Sequence, residues 1–312
     1  MSHTQASRHT WPILPEALVL LYHYVREPSD GPALSEPAVD PAAFERQLDA
    51  VERTHRIVGW PEFERRLAGD GERDPICLLT FDDGLRDHHR TVLPILARRG
   101  LAGAFFVLAR EPADGLALGH RIHVLLGLLE PGSLAEAILD RASAPARRAF
   151  VAAVDGHRRA GLDEREALKR ALQRELRRPV GPILRALVRE LVGPEEDVAS
   201  ELYLRPQDQA DLVAAGMTLG GHGRDHEWLD WVDRRTVDAE LRASVRWLAR
   251  FGAPPWPFAY PFGAPPPRAE RVLAAAGFSA AFLAGSRRRE GIDPRYAIPR
   301  QDGETVDLSR VR

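Results

Sequence analysis

The sequence predicts an α/β fold built on parallel strands, and three features of the chain lead to this fold class. Short apolar runs alternate with amphipathic segments of helical length along most of the 312 residues. Such alternation is typical of parallel strands joined by helical crossovers, arranged as an open sheet or a barrel. The composition, 44% hydrophobic and 28% charged, supplies enough apolar side chains for a large core. Polar clusters also follow directly after two of the apolar runs, at the strand ends where α/β folds bind ligands.

The individual elements follow from local patterns. Asp40 and Pro41 predict a helix start, because aspartate caps helices and proline fits the first turn. A helix over 85–99 would end at Gly100, a residue suited to the left-handed conformation that closes helices. Further helices are predicted over 234–251 and 268–276, and strands over 17–23, 56–60, 76–81, 104–108, 217–221, 257–260, 278–283 and 296–298.

One region breaks the alternation of strand and helix. No strand pattern occurs from 111 to 201, where leucine, alanine, arginine and glutamate dominate. We therefore expect a single domain over 1–312 that carries a helical insertion subdomain over 111–201. Charged faces on solvated helices explain the arginines of this region more readily than an anionic ligand does.

Composition excludes several classes of partner. The 43 basic and 45 acidic residues give a formal charge of −2 without a basic stripe, so neither nucleic acid nor an anionic membrane is expected. The single cysteine, Cys77, excludes an internal disulfide and a cysteine-rich zinc site, and its place in a strand pattern indicates a buried, inert thiol. Because the N-terminus lacks a signal-peptide pattern and no transmembrane segment is evident, we expect a cytoplasmic protein.

The first chemical motif is Thr80-Phe81-Asp82-Asp83-Gly84. The apolar run before it predicts a buried strand, so both carboxylates would lie at the floor of a pocket. Adjacent carboxylates repel each other unless a cation or a shared proton separates their roles. This favours a metal ion, with one aspartate left for chemistry. The alternative is a solvated turn, since Asp-Gly favours tight turns, and the motif alone does not decide between the two.

The second motif places His222 and His226 four residues apart, directly after a predicted strand. If the segment turns helically, the two imidazoles converge on one ion, and Asp83 would complete a set of two histidines and one carboxylate. Such a set leaves open positions for water and for a substrate oxygen, as a hydrolytic metal requires. An isolated pair with this spacing is more often two surface histidines. The occurrence of both motifs after strands of one fold favours the metal site.

With these residues the sequence resembles the polysaccharide deacetylase family, of the carbohydrate esterase family 4 type, whose domain is also called the NodB homology domain. The resemblance rests on the motif at 80–84 with the apolar context that follows it, on His222 and His226, and on the Tyr260-Pro261-Phe262-Gly263 turn. It covers most of the chain outside 111–201. It implies a distorted (β/α) barrel with fewer than eight regular strands.

The resemblance also implies roles for individual residues. Asp82 would be the general base, and a water activated by the metal would attack an amide carbonyl. The backbone N–H of Phe262 would match the family's oxyanion donor. Asp83, His222 and His226 would bind one divalent metal ion. Zn²⁺ is the first expectation, and Co²⁺, Ni²⁺ and Mn²⁺ are the alternatives. The residues expected around the substrate are Tyr260, Pro261, Phe262 and Arg300.

Two positions depart from the family pattern within its motifs. Gly223 stands where the family usually has Ser or Thr to support the second histidine, so Asp225 is a candidate for orienting His226. Ala259 stands where the family has an arginine that holds the catalytic aspartate. Arg300 is the candidate substitute, and a surface arginine is the alternative for that residue.

The family's C-terminal histidine, the general acid, has no counterpart after Gly263. The resemblance to a subset with an N-terminal Y-H-x-V segment and permuted motif order assigns this role to His23. A histidine of near-neutral pKa suits proton donation to an amine, and the first and last strands of a barrel are neighbours. The alternative is a core histidine bonded to backbone. His120 and His123 are expected at most at the rim of the pocket.

The expected activity is that of a metal-dependent hydrolase, a carbohydrate N-deacetylase that removes an N-acetyl or N-formyl group from an amino sugar. A nucleotide-linked, lipid-linked or free glycan precursor is expected rather than a mature wall polymer, because no secretion signal is evident. Two alternatives come from other classes. One is a non-catalytic carbohydrate-binding descendant, since the usual arginine and C-terminal histidine are missing. The other is a metal-free glycosidase that uses the paired carboxylates.

Overall fold

The computed structural model describes residues 17–27, 31–32, 34–286 and 289–306. Residues 1–16 lie outside this part of the chain, so the expectation of no signal peptide stays a prediction, as does the cytoplasmic location. Within the described ranges, no single helix is long and apolar enough to cross a membrane. One pair of helices, 118–128 and 131–141, passes this test of length and composition together, with a bend of 117° between them.

The central sheet is entirely parallel, as the alternation of elements predicts. The described strands are β1 Ala17–Tyr22, β2 Arg56–Val58, β3 Ile76–Phe81, β4 Ala104–Val107, β5 Thr218–Gly221, β6 Trp256–Ala259, β7 Phe278–Phe282 and β8 Gln301–Asp302. They follow the order β7-β6-β5-β4-β3-β1-β8, and β2 pairs with the first half of β3. The sheet is curled, so the fold is the predicted distorted (β/α) barrel. The described residues form eight strands where fewer than eight were expected, but β2 and β8 are only three and two residues long.

A short segment near the C-terminus joins the two edges of the sheet. Ile298 forms a parallel bridge with Phe282 of β7, and three residues later β8 pairs with β1. Inside the curl, residues such as Val19, Leu78 and Phe106 form a small apolar cluster. The segment around Arg300 therefore crosses the seam of the barrel, beside the end of β1.

Helices cover the outside of the sheet and fill the long connection between β4 and β5. The side chain of Asp40 accepts the N–H of Ala43 at the first helix, and Gly100 closes the third with φ of 64°, as predicted. The third helix does not begin at residue 85 as predicted: a π-helical turn, His88–Val92, precedes its α-helical part, which begins at Leu93. The helices are α1 Pro41–Glu52, α2 Trp60–Leu67, α3 Leu93–Arg99, α4 Leu118–Leu128, α5 Pro131–Arg141, α6 Ala144–Arg159, α7 Glu164–Gln173, α8 Arg177–Leu191, α9 Glu195–Leu202, α10 Pro206–Ala214, α11 Arg234–Leu248 and α12 Ala269–Ala276.

The predicted last strand, 296–298, is wrong. Pro294–Tyr296 forms a short 3₁₀ turn, and only Ile298 reaches the sheet, through its single bridge to β7. Proline has no N–H for a sheet ladder, so Pro299 prevents the pairing from continuing. The regular strand at this end is β8, which is polar in sequence and only two residues long.

The region from 111 to 201 contains helices and no strand, as the sequence predicts. Helices α4 to α9 enclose a second hydrophobic core, which includes Leu125, Phe150 and Leu184. Tyr24 and Leu85 from the barrel belong to the same core, so the helical segment packs directly onto the strand ends. The division of the chain into one domain and an inserted subdomain stays a prediction.

Candidate active site

The carboxyl ends of neighbouring parallel strands bring the two sequence motifs together. Asp82 and Asp83 follow β3, and His222 follows β5, two strands away across β4. Four described residues other than glycine have positive φ, and three of them lie here: Asp83 at 72°, His226 at 53° and Phe262 at 57°. Such strained backbone persists where the surrounding structure enforces it, which is typical of functional sites. Asp83-Gly84 does form a turn, but a buried one, with Asp83 only 5% exposed.

Asp83, His222 and His226 form a compact group of metal-ligating atoms. The Nε2 atoms of both histidines lie 3.3 Å from Asp83 Oδ1. One ligand atom from each residue lies within 4.8 Å of the other two. Asp83 Oδ1 is buried and has no hydrogen-bond partner among the described residues. A buried carboxylate oxygen without a partner is costly unless a cation satisfies it.

The hydrogen bonding of His222 strengthens this argument. Its Nδ1 lies 2.8 Å from the carbonyl oxygen of Ala259, which can only accept, so Nδ1 carries the hydrogen. Nε2 of the neutral ring is then a bare lone pair that faces the oxygen of Asp83. Two lone pairs 3.3 Å apart require a proton or a metal ion between them. Two imidazoles and one carboxylate suit Zn²⁺ and similar divalent ions, so the residues present fit the implied metal.

The two histidines converge on Asp83 although the H-x-x-x-H segment does not turn helically. Residues 222–226 form an irregular loop in which Gly223 has φ of 76°, a conformation that favours glycine. A Cβ at Gly223 would lie 2.6 Å from Oε2 of Glu240. That carboxylate accepts the N–H groups of Arg224 and Asp225 and so holds the loop. A Ser or Thr at this position would therefore strain the backbone and displace the carboxylate of Glu240.

Asp225 does not orient His226, contrary to expectation. Its carboxylate lies 3.6 Å from Arg110 and 3.4 Å from Arg224, and Nδ1 of His226 has no hydrogen-bond partner among the described residues. The ring is held by packing instead. It contacts Phe262 edge to face at 4.4 Å between centroids and His222 at 4.9 Å.

Arg300 lies against Asp82, where the sequence suggested a substitute for the family's arginine. Its guanidinium donates to Asp82 through two bonds, NH1 to Oδ1 at 2.7 Å and NH2 to Oδ2 at 2.6 Å. Nε donates to the carbonyl of Leu283, and NH1 also contacts Thr80 at 3.2 Å. All of its polar nitrogens thus have protein partners, and its side chain is fully buried. The grouping of Arg300 with the substrate-contacting residues is therefore wrong, because it lies behind Asp82.

Burial and neighbouring charges shift the pKa values of the site residues in different directions. Burial alone would raise the pKa of Asp82, but the guanidinium of Arg300 and His222 outweigh it and lower that pKa. Burial would likewise raise the pKa of Asp83, which His120 and His226 hold well below its usual range. Burial would lower the pKa of His222, but the two aspartates raise it. Burial lowers the pKa of His226 to about 3. Both carboxylates are thus ionised at neutral pH.

His23, just beyond β1, lines the cavity that Asp82, Asp83, His222 and His226 also line. Its side chain is 36% exposed, and Nδ1 lies 4.0 Å from Oε1 of Glu304. Sequence reasoning missed Glu304, which has no motif around it and reaches the site only because β8 pairs with β1. Burial and the neighbouring Asp302 raise the pKa of Glu304 to about 8.

The turn at 260–263 contributes unequally to the cavity, which has a volume of about 310 Å³. Phe262 lines it and stacks on Trp228, with ring centroids 4.3 Å apart and planes 7° from parallel. Tyr260 also lines the cavity, but its hydroxyl donates to the carbonyl of Tyr296. Pro261 is not among the residues that line the cavity.

Sequence reasoning also missed a contact from the helical insertion. His120 on α4 is 2% exposed, and its Nε2 lies 3.2 Å from Asp83 Oδ2. Its Nδ1 lies 2.8 Å from the hydroxyl of Tyr203. The sequence placed His120 at most at the rim of the pocket, but the structure places it against a proposed metal ligand. No motif marks this pair, because 37 residues separate His120 from Asp83.

Comparison with known proteins agrees with this geometry. The family model described as polysaccharide deacetylase matches residues 188–281, a segment that contains His222, His226 and the turn at 260–263. No curated protein matches the chain in sequence. The structure is similar to the Streptococcus pyogenes deacetylase PplD in complex with acetate, with a TM-score of 0.55 and 14% identity over 92% of this chain and 95% of that one.

Two further solved structures share the fold. The de-N-acetylase from Aggregatibacter actinomycetemcomitans has a TM-score of 0.52 and 13% identity, over 93% of this chain and 96% of that one. The BpsB deacetylase domain from Bordetella bronchiseptica has a TM-score of 0.51 and 13% identity, over 91% and 94%. The motif at 80–84 lies outside the matched segment, but the fold brings its Asp83 to both histidines of that segment. Residues 188–281 thus match the polysaccharide deacetylase family model, and the chain shares the fold of these solved deacetylases.

Proposed function

We propose that the protein is a metal-dependent hydrolase that removes an acetyl or formyl group from the nitrogen of an amino sugar. The observation that carries this proposal is the unpartnered Asp83 Oδ1, which lies 3.3 Å from the Nε2 atoms of His222 and His226. Beside this group, Asp82 is held separately by Arg300. Amide hydrolysis needs a Lewis acid that polarises the carbonyl and a base that is kept ionised. The first group would hold the Lewis acid, and Asp82 is the base.

The residues divide the reaction between them. A divalent ion held by Asp83, His222 and His226 would polarise the amide carbonyl and lower the pKa of a water beside it. Asp82 accepts the proton of the attacking water, and Arg300 keeps Asp82 ionised for that step. The nitrogen of the sugar takes a proton from His23 as the C–N bond breaks, so a free amine and a carboxylic acid leave.

The cavity favours a short segment of sugar. Its volume of about 310 Å³ is at the small end for ligand pockets. Phe262 and Trp228 supply an apolar wall, while Lys169, Arg170 and Glu36 supply polar groups for sugar hydroxyls or for charged substituents. Lys169 pairs with Glu36 at 2.8 Å. Of the two basic residues, only Arg170 then has no acidic partner among the described residues.

The pKa directions argue against a glycosidase that uses Asp82 and Asp83 as its carboxyl pair, although Glu304 in the same cavity does have a raised pKa. A glycosidase needs one carboxylic acid that keeps its proton near neutral pH, and therefore one carboxyl of raised pKa. The pKa values of both Asp82 and Asp83 are lowered instead. Asp82 is also bound on both oxygens by Arg300, which leaves it suited to accepting a proton rather than to attacking a sugar ring.

Metal removal tests the proposal directly. We expect protein treated with a strong chelator and desalted to release no acetate from N-acetylglucosamine oligomers, and added Zn²⁺ or Co²⁺ to restore the reaction. The measurement is enzymatic assay of acetate together with fluorescent labelling of new amines, which should appear in equal amounts. Unchanged turnover in metal-free protein would overturn the metal mechanism. New reducing ends without acetate would support the glycosidase, and substrate binding without either product would support a non-catalytic role.

A further inference from the structure

We infer that His120, near the start of the helical insertion, and Tyr203, just after its end, hold Asp83 in the orientation that binds the metal ion. The inference rests on the proposed metal site and adds residues that position a ligand without being ligands themselves. His120 lies near the start of α4, and Tyr203 lies directly after α9. Both are 2% exposed, so neither contact is shared with bulk water.

A directed chain of hydrogen bonds leads from the backbone to Asp83. The N–H of Ala117 donates to the hydroxyl of Tyr203 at 3.0 Å. That hydroxyl has one proton of its own, which it donates to Nδ1 of His120 at 2.8 Å. The hydrogen of the neutral imidazole is then on Nε2, which donates to Asp83 Oδ2 at 3.2 Å. Each group in the chain therefore has one defined role.

Because of this series of hydrogen bonds, the two oxygens of Asp83 have different partners. His120 occupies Oδ2, while Oδ1 is left without a hydrogen bond and faces His222 and His226. His120 does not belong to the group of ligating atoms that lie within 4.8 Å of one another. A partner that holds the second oxygen of a ligating carboxylate fixes the carboxylate plane and the lone pair that the ion meets.

The backbone that leaves the insertion fixes the same loop. Leu204 donates its N–H to the carbonyl of Gly84 at 2.9 Å, and Arg86 donates to the carbonyl of Leu202 at 2.8 Å. Leu85 and Tyr203 form an antiparallel bridge between these bonds. Asp83, close to this ladder, has a positive φ of 72°, a conformation that few residues other than glycine adopt. The insertion therefore holds Asp83 by both backbone and side chain.

Metal affinity tests this role without any measure of catalysis. We expect His120→Ala to weaken Zn²⁺ binding by the apo-protein about 10- to 100-fold, the usual loss for partners of metal ligands. His120→Gln should recover much of the loss, because its amide N–H can replace the imidazole Nε2–H. Tyr203→Phe should lie between wild type and His120→Ala, since it removes only the hydroxyl that sets the tautomer. The measurement is competition with a chromophoric chelator, with apo-protein thermal unfolding recorded for every variant.

The matched control is Tyr296→Phe, which loses a tyrosine hydroxyl bonded to the carbonyl of Phe278, away from the cavity. Its Zn²⁺ affinity should equal that of wild type. Affinity within twofold of wild type in folded His120→Ala would overturn the inference, and so would a His120→Gln protein as weak as His120→Ala, because His120 would then act as a ligand. If His120→Ala does not fold, Tyr203→Phe and His120→Gln decide. Wild-type protein that binds no metal would instead refute the proposed function.

Discussion

Asp82→Asn should reduce acetate release by about a hundredfold to ten-thousandfold, the usual contribution of a general base. Asn cannot accept the proton of the attacking water, and the amide is close in size to the carboxylate that it replaces. Because Asp83, His222 and His226 are unchanged, the metal content should stay that of wild type. Initial rates of acetate release, with metal content measured on the same samples by atomic emission, check both parts.

Asp302→Asn is the matched control for Asp82→Asn. Asp302 lines the same cavity as Asp82. Its carboxylate accepts the N–H of Glu304 and does not contact Arg300, the partner of Asp82. The same chemical change there should lower the rate by less than about tenfold, a much smaller loss than removal of a general base causes. Wild-type turnover by metal-loaded Asp82→Asn would remove Asp82 from the role of base. Loss of metal in that variant would instead make Asp82 a ligand.

Arg300→Met should destabilise the protein by about 3–5 kcal/mol, the usual cost of leaving one partner of a buried ion pair alone. Asp82 is 2% exposed and would lose both bonds from its guanidinium partner. Burial would then dominate and raise the pKa of Asp82, so the acid limb of kcat/KM should move to higher pH, since only the ionised carboxylate accepts a proton. Urea unfolding and the pH profile of kcat/KM are the two measurements.

The pH dependence of stability follows from the same pair. The lowered pKa of Asp82 stabilises the folded wild type above the carboxyl's unfolded pKa, and this contribution is lost as the pH falls through the folded pKa. The stability difference between wild type and Arg300→Met should therefore shrink in acid. Arg66→Met is the control, because Arg66 is a buried arginine paired with Asp74, remote from the cavity. Arg66→Met should lower the free energy of unfolding without shifting the pH profile of kcat/KM. If the profile of Arg300→Met also stays unshifted, Arg300 does not keep Asp82 ionised.

Much of the fold was readable in the sequence because apolar patterning carried it. The strands β3, β4 and β7 are continuous apolar or small-residue runs buried along nearly their whole length, and their bounds agree with prediction to within about a residue. The last strand was misplaced because β8 is short and polar and is held by register with β1, not by burial of its side chains. Local pattern carries no information about such tertiary pairing.

The site was predictable where its residues follow strands and hidden where they arrive from elsewhere. Asp83 and His222 end neighbouring parts of one sheet, so their meeting follows from strand order. The conformation of the loop at 222–226 could not be predicted, because Glu240, on a helix distant in sequence, organises it. His120 and Tyr203 sit in a helical region without any motif, and only the packing of that region onto the barrel brings them to Asp83.

The most direct test of the account is the position of a bound zinc ion, measured by anomalous scattering on both sides of the zinc absorption edge. We expect one strong peak among Asp83 Oδ1, His222 Nε2 and His226 Nε2, the site on which the proposed chemistry depends. The described residues contain one other group of suitable atoms, from His89, Asp208 and Asp211. A peak at that second group with none at Asp83 would contradict the account.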